Sequence, residues 1–99
     1  SMDAYLEIGY HPGADAQTLA GTILNDHGTI ATTESLGQVK LGDLNAYGVN
    51  GATVQRQLEA YLIPTACGCI SVVLCRAGTA PAGWYESLLA SAQTLQIAD

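Results

Sequence analysis

Apolar and polar residues alternate over residues 4–10, which is the pattern of a half-buried β-strand. Over residues 14–27 the apolar positions change to the i, i+3, i+4 spacing of a helix with one buried face. A His-Pro-Gly sequence at residues 11–13 separates the two elements, because proline and glycine interrupt regular structure. The chain is therefore predicted to begin with a strand, a tight loop and a helix.

Two further strands are predicted in the next part of the chain. Residues 29–36 are rich in β-branched types, and residues 44–49 form a weaker strand-like run. Gly37 and Gly42 flank the stretch between them, which holds Lys40, the only lysine. The two strands are predicted to form a hairpin with a long tip.

A helix, a strand and a final helix are predicted in the second half of the chain. Asn50 is a suitable N-cap for the first helix, and Pro64 ends it because the residue before a proline avoids helical geometry. Residues 66–76 form a short apolar run that is rich in β-branched side chains, as in a central strand. An apolar stripe that begins at Trp84 predicts the last helix. The residues that predict the buried face of the helix before Pro64 are Val54, Leu58, Tyr61 and Leu62.

The predicted element order is β-α-β-β-α-β-α, and its first six elements match the ferredoxin-like βαββαβ sandwich. The expected fold class is therefore α+β, with a four-stranded antiparallel sheet in the order 4-1-3-2 and an additional C-terminal helix. Two helices would cover one face, and the other face would be open unless the last helix or a partner chain covered it. The fourth strand would lie at an edge. The length of 99 residues indicates one domain, 1–99, in which Ser1 is interpreted as a cloning remnant.

Over residues 4–76 the element order resembles that of several small regulatory and shell domains. These are the PII-like signalling proteins, the ACT domains and the bacterial microcompartment shell proteins, which share βαββαβ-type layouts. The resemblance implies a regulatory or assembly role, and it carries over no functional residue.

The composition points to assembly. Charged residues make up 12% of the chain and hydrophobic residues 48%, which is a low charge content for a free monomer. Part of the surface is therefore expected to be apolar, so we expect a homo-oligomer or a complex with a partner protein. The net charge of −6 disfavours nucleic acid and anionic membranes as partners. The sequence also holds no apolar run of the length that a membrane span requires.

The three cysteines, Cys67, Cys69 and Cys75, fall in the predicted fourth strand and share one of its faces. One interpretation is that they are buried, reduced thiols of a cytoplasmic protein. The alternatives are a soft-metal or redox site built on Cys67 and Cys69, and a reactive thiol. Zinc prefers four ligands and a wider cysteine spacing, so no metal or other cofactor is expected.

His11 is the main candidate for acid–base chemistry. In the predicted topology the end of the first strand adjoins the start of the fourth, which places His11 near Cys67 and Cys69. A cysteine nucleophile needs such a neighbouring base, so a Cys–His pair is possible there. Tyr10 is the other candidate partner of the imidazole.

Ligand and partner contacts are predicted at two further places. The loop before the first helix offers backbone N–H groups to a ligand, and a glycine-flanked hairpin tip is often functional. Adjacent aromatic residues at the start of the last helix predict a partner interface. The candidate ligand-binding residues are Tyr10, His11, Gly13 and Lys40, and the candidate interface residues are Trp84 and Tyr85.

The first functional hypothesis is a small, non-enzymatic, oligomeric α+β domain that binds a small molecule or serves as an assembly or regulatory subunit. The first alternative is a small ferredoxin-like enzyme that uses His11 with Cys67, Cys69 or Tyr10 as acid, base or nucleophile. The second alternative is a redox or metal-sensing subunit that uses Cys67, Cys69 and Cys75.

Overall fold

The computed structural model describes residues 4–26, 32–52, 56–77 and 83–96. These residues form strands and helices in the order β-α-β-β-β-β-α. The elements are β1 (Ala4–Pro12), α1 (Ala16–Asp26), β2 (Thr32–Leu41), β3 (Leu44–Ala52), β4 (Arg56–Thr65), β5 (Gly68–Ala77) and α2 (Trp84–Ala92).

The strands form one sheet in the order β1-β5-β4-β3-β2, and every neighbouring pair is antiparallel. One helix packs on each side, so we call the two sides the α1 face and the α2 face. Each face has its own apolar core, as a sheet needs when both of its faces are covered. The α1-face core includes Leu19, Ile23, Leu58, Leu62, Val73 and Cys75. The α2-face core includes Leu41, Tyr61, Ile63, Val72, Leu74 and Ala92.

The predicted ferredoxin-like βαββαβ sandwich is wrong. The sheet has five strands instead of four, and its order differs from the predicted 4-1-3-2. α1 alone covers one face, because the second predicted helix is absent, and the other face is covered by the last helix, α2, which was one of the two covers expected for it. The resemblance to PII-like proteins, ACT domains and microcompartment shell proteins rested on the predicted order of elements, and it does not hold for this topology.

The error arises at residues 56–65, where the structure has strand β4 in place of the predicted second helix. Leu58 and Leu62 lie on the α1 face, whereas Tyr61 and Ile63 lie on the α2 face. A strand that is covered on both faces is apolar on both, and this pattern satisfies a helical spacing by coincidence. The strand is formed because β4 pairs with β3 on one side and with β5 on the other.

The two residues predicted to bound that helix lie in strands. Asn50 is part of β3, and its Nδ2 donates a hydrogen bond to Glu34 Oε1 across the β2–β3 pair, at 3.4 Å. Pro64 is part of β4, opposite Cys69 of β5. Val54, which was expected on the buried face of the helix, lies outside the described residues.

The predicted long hairpin tip is also wrong, because β2 continues through most of it. Lys40 lies within β2, and the turn consists of Gly42 and Asp43 alone. Gly42 has a φ of +61°, and a Cβ at this position would collide with the carbonyl oxygen of Gln93. The tip is therefore packed against the C-terminal end of α2.

The cysteine strand β5 lies inside the sheet, between β1 and β4, and not at an edge as predicted. The edges are β1 and β2. Because β5 is covered on both sides by neighbouring strands and on both faces by side chains, its apolar sequence is explained without a partner at its edge.

The predictions of a helix after the first strand and of a last helix with an apolar stripe from Trp84 are confirmed. α1 spans Ala16–Asp26 within the predicted residues 14–27, and α2 begins at Trp84. Asp15 caps α1, since its Oδ2 accepts a hydrogen bond from the backbone N–H of Thr18 at 3.1 Å. In the described part of the chain, neither helix has the length and hydropathy that crossing a membrane requires.

Candidate functional site

Two contacts show which residues of the edge strand β1 direct their backbone N–H and C=O groups toward β5. The N–H of Gly13 donates to the carbonyl oxygen of Cys67 at 2.7 Å, and the carbonyl oxygen of His11 lies against Gly68 of β5. Backbone groups of alternate residues in a strand point to opposite sides. The odd-numbered residues of β1 therefore bond to β5, and the even-numbered residues point their N–H and C=O groups outward. Among the described residues, no strand lies on that outer side.

The even-numbered side chains of β1 lie on the α2 face, and two of them are exposed. Ile8 is 52% exposed and Tyr10 is 53% exposed, and these are the exposed large apolar side chains of the described chain. Leu6, earlier in the strand, packs against the core beneath α2. We call Ile8 and Tyr10, together with the outward backbone of β1, the β1 edge.

The odd-numbered side chains of β1 lie on the α1 face and include His11. Its Nε2 is 3.0 Å from Oγ of Ser71 in β5, and Ser71 is only 4% exposed. A buried hydroxyl needs a hydrogen-bond partner, and the imidazole supplies it. Gly9 lies opposite Ser71, and a Cβ on Gly9 would be 3.2 Å from His11 Nε2 and 3.3 Å from Ser71 Oγ. The absence of a side chain at Gly9 therefore leaves the room that this pair occupies.

A groove of about 440 Å³ runs beside the His11–Ser71 pair, between β1 and the end of α1. Ile23 forms part of its wall, and the carboxyl groups of Glu7 and Asp26 line it. The groove is therefore acidic apart from the imidazole. Ser71 also lines the groove, and its hydroxyl holds the His11 ring in place.

The cysteines fall into two environments. Cys69 and Cys75 are buried, and Cys67 is exposed in the turn between β4 and β5. Burial raises the pKa of the Cys69 thiol, and the nearby negative charge of Asp15 adds to this shift. A raised pKa keeps the thiol protonated, which makes it a poor nucleophile and a poor metal ligand.

A second, larger cavity of about 720 Å³ lies where the β4–β5 turn meets the start of α1. Gly13, Asp15, Cys67 and Cys69 line it. Gly13 has a φ of +72° and so shapes the turn into the helix. The carboxyl group of Asp15 makes this helix N-terminus unfavourable for an anion.

The other predicted site residues lie apart from one another. His11 is paired with Cys69 across β1 and β5, but its imidazole contacts Ser71. Tyr10 points to the opposite face from its neighbour His11, and Lys40 lies on β2 at the far edge of the sheet. Lys40 is therefore remote from the other three candidate ligand-binding residues, and Tyr10 and His11 lie on opposite faces of the sheet. In the part of the chain that the structure describes, no group of three or more His, Cys, Asp or Glu side chains could hold a metal ion.

The two aromatic residues at the start of α2 make different contacts. Trp84 lies near the guanidinium of Arg76, which is 5.9 Å from the centre of the indole ring. The hydroxyl of Tyr85 donates to Oε2 of Glu59 at 2.7 Å, and Tyr61 donates to the same oxygen at 2.6 Å. The Tyr85–Glu59 bond connects α2 to the sheet, whereas Tyr61 and Glu59 both belong to β4.

These contacts favour the protonated form of the tyrosines. Burial, followed by the bond to Glu59, raises the pKa of Tyr61 far above its usual range and raises the pKa of Tyr85. A hydrogen bond with the thiol of Cys75, together with burial, raises the pKa of Tyr5 to about 12. In the unfolded chain a tyrosine loses its proton near pH 10.

We therefore expect the protein to lose stability as the pH rises above 10. The folded state keeps protons that the unfolded state has already released, so this stabilisation is complete below pH 10 and is lost progressively at higher pH, as each tyrosine reaches the raised pKa of its folded form. Urea unfolding at pH values from 8 to 11.5 measures the effect. Tyr61→Phe should reduce the slope of stability against pH, and an equally steep slope in this variant would contradict the assignment.

No family model, curated protein or solved structure matches this chain. The function is therefore argued from the geometry of the described residues alone.

Sequence reasoning missed Ser71, Gly9 and Glu59. Ser71 and Glu59 are polar residues within strongly apolar strands, which is a usable signal because buried polar groups require partners. Gly9 interrupts an otherwise regular strand, and an isolated glycine in a strand marks a close approach of other atoms.

Proposed function

We propose that this protein is a small assembly subunit whose β1 edge pairs with the β1 edge of a second copy. The observation that carries the proposal is the combination of an outward strand backbone, with which no strand of the described residues pairs, and the exposed side chains of Ile8 and Tyr10. An exposed edge strand with apolar side chains is a template for pairing with another strand. Two-fold pairing of identical β1 edges is the simplest assembly that gives these outward backbone groups hydrogen-bond partners.

The opposite edge of the sheet differs in ways that discourage pairing. β2 contains an irregularity in register between Ser35 and Gly37, which interrupts a regular ladder. It also carries the exposed charged side chains of Glu34 and Lys40. Bulges and charges are the usual means by which proteins protect an edge strand. β1 has a continuous register with β5 over its whole length, and Glu7 is its one charged residue apart from the titratable His11.

The low charge content of the chain also supports the proposal. With 12% charged residues the protein has few groups with which to keep an apolar edge in solution. The cysteines Cys67, Cys69 and Cys75 are all free, which agrees with assembly by noncovalent contacts in a reducing compartment such as the cytoplasm.

The test is the molar mass in solution, measured by size-exclusion chromatography with light scattering at micromolar concentration. The wild-type protein is expected to be a dimer. Ile8→Pro removes one outward N–H and should give a monomer, because proline cannot donate to a new ladder. The N–H of Ile8 has no role in pairing with β5, so this variant should keep the fold.

Ile8→Val is the matched control, since it keeps both the amide and an apolar β-branched side chain. It should remain dimeric, and circular dichroism should show that both variants are folded. A monomeric wild-type protein would overturn the proposal, and so would a folded Ile8→Pro variant that dimerises with unchanged affinity.

A further inference from the structure

We infer that the two β1 strands pair in the register that places Gly9 opposite Gly9 of the second copy, so that Glu7 of each copy faces His11 of the other. This inference rests on the proposed function and adds the chemistry by which one copy recognises another. It follows from the backbone directions of β1, from the positions of its charges and from the contacts of His11.

The outward backbone groups restrict the possible registers. Only even-numbered residues of β1 offer N–H and C=O groups to a partner, so even-numbered residues must lie opposite even-numbered residues. Three symmetric arrangements keep most of the strand paired. Their two-fold axes pass at Glu7, at Ile8 or at Gly9.

Charge distinguishes these arrangements. An axis at Glu7 places the two Glu7 carboxylates directly opposite, which is destabilising. An axis at Ile8 places each Glu7 opposite Gly9, with the two carboxylates as diagonal neighbours on the same face. An axis at Gly9 separates the carboxylates and places each one opposite an imidazole of His11.

The same register matches the side chains on the α2 face. It places Ile8 of one copy opposite Tyr10 of the other, twice, and aromatic–β-branched pairs are among the stabilising cross-strand combinations. These two side chains are the exposed ones of β1, at 52% and 53%. Leu6 falls opposite Pro12, where the missing N–H of proline ends the ladder.

The contacts of His11 prepare it for this role. Its Nε2 is held by Ser71 Oγ at 3.0 Å, which fixes the ring and leaves Nδ1 as the nitrogen for an intermolecular hydrogen bond. The Ser71 hydroxyl also donates to the carbonyl oxygen of Gly9 at 3.5 Å, so it accepts from Nε2, and an imidazole protonated on both nitrogens can then donate to a carboxylate from Nδ1. Among the described residues, the charged or titratable groups around this ring within one copy are Glu7 on β1, Cys69 on β5 and Asp26 at the end of α1. None of these three groups carries a positive charge that would compete for the carboxylate of the second copy.

The test is charge complementation between two variants. Glu7→Lys places a lysine opposite His11, and His11→Glu places two carboxylates opposite each other, so each variant alone should dimerise about three- to thirtyfold more weakly. An equimolar mixture should form a heterodimer close to wild-type affinity. In that heterodimer Lys faces Glu at one end, and the original Glu7–His11 pair is kept at the other. Sedimentation velocity with one labelled chain measures these dissociation constants.

Glu34→Lys on β2 is the matched control for Glu7→Lys, because both substitutions change the net charge by the same amount and Glu34 lies at the opposite edge of the sheet. It should leave the dissociation constant within about twofold of the wild-type value, as is usual for an exposed position remote from the contact. Thermal unfolding of each variant shows that the fold is kept.

The two proposals fail differently. If the wild-type protein dimerises through β1 but neither variant weakens it, or the mixture is no tighter than the single variants, the register is wrong and the assembly proposal stands. If the wild-type protein is a monomer, the assembly proposal itself is wrong.

Cross-linking gives an independent measure of register. In a Cys67→Ser background, a Glu7→Cys chain mixed with a His11→Cys chain should form a disulfide-linked heterodimer. Residues opposite one another at such a non-hydrogen-bonded position have Cα atoms about 4.5 Å apart, within the range for a disulfide. A disulfide-linked homodimer of the Glu7→Cys chain would overturn the register by placing the axis at Glu7.

Discussion

Gly68→Ala is expected to lower the free energy of unfolding by about 3 kcal/mol or more, a large part of the stability of a domain of this size. A Cβ at this position would collide with the carbonyl oxygen of His11 and would lie 2.8 Å from both Gly13 N and Pro12 Cα. These are backbone atoms, so no side-chain rotation can relieve the contact. The β4–β5 turn would have to move away from the β1–α1 loop, with loss of the bond between Gly13 and Cys67.

Gly21→Ala is the matched control for this substitution. Gly21 lies in α1, and a Cβ there would meet no atom within 4 Å. Alanine is preferred to glycine inside a helix, so this variant should be more stable by about 0.5–1 kcal/mol. Chemical denaturation measures both variants. A Gly68→Ala protein as stable as the wild type would show that the two loops do not approach as closely as described.

Leu74→Ala is expected to cost about 2–5 kcal/mol. Leu74 is fully buried on the α2 face, in the strand that pairs with both β1 and β4. Removing its side chain leaves a cavity beneath α2 that the surrounding sheet cannot close, because its backbone is fixed by ladders on both sides. The midpoint of denaturation in urea should fall accordingly.

Leu74→Met separates lost volume from other effects at the same position. Methionine has a similar volume and adapts its shape, so the cost should stay below about 1.5 kcal/mol. If the methionine variant were as unstable as the alanine variant, the cavity explanation would be wrong. If Leu74→Ala cost less than about 1 kcal/mol, the described core beneath α2 would be contradicted.

The first strand, both helices and the cysteine strand could be predicted from the sequence, because each has a single clear periodicity. In β1 apolar and polar residues alternate, in α1 the apolar residues form a stripe on one face, and residues 66–76 form a mainly apolar run. Residues 56–65 have no such single period. Leu58, Tyr61 and Leu62 fit one face of a helix, and they fit equally well the two faces of a strand covered on both sides.

The order of strands could not be derived from local patterns at all. It depends on which segments pair across the sheet, and those pairs join residues as distant in sequence as Ala4 and Arg76. Replacing the predicted helix by β4 inserts a strand between β5 and β3 and removes the predicted contact of the first strand with the third. The predicted pairing of the first strand with the cysteine strand and the β2–β3 hairpin are kept. One ambiguous segment was therefore enough to change the fold.

For the candidate site, the sequence predicted that His11 lies beside the cysteine strand, but it did not predict which side chain His11 contacts. Pairing of the end of β1 with the start of β5 brings His11 beside the cysteine strand, and this one antiparallel pair was part of the predicted topology although that topology as a whole is wrong. The choice of Ser71 as partner depends on register and on which face each side chain occupies, since a shift of one residue would exchange the faces. The exposure of Ile8 and Tyr10 depends on how much of the sheet α2 covers, and the local sequence pattern does not predict this.

The unlike edges of this sheet also determine how large an assembly can grow. Two copies joined at β1 would present β2 at both ends of the combined sheet, with its irregular register and its exposed charges. Neither end could accept a further strand easily, so growth would stop at a closed two-fold unit and would not continue into a fibre. As protein concentration rises, the measured molar mass should therefore level off at that of a dimer, even though each chain has an edge strand that can pair with another.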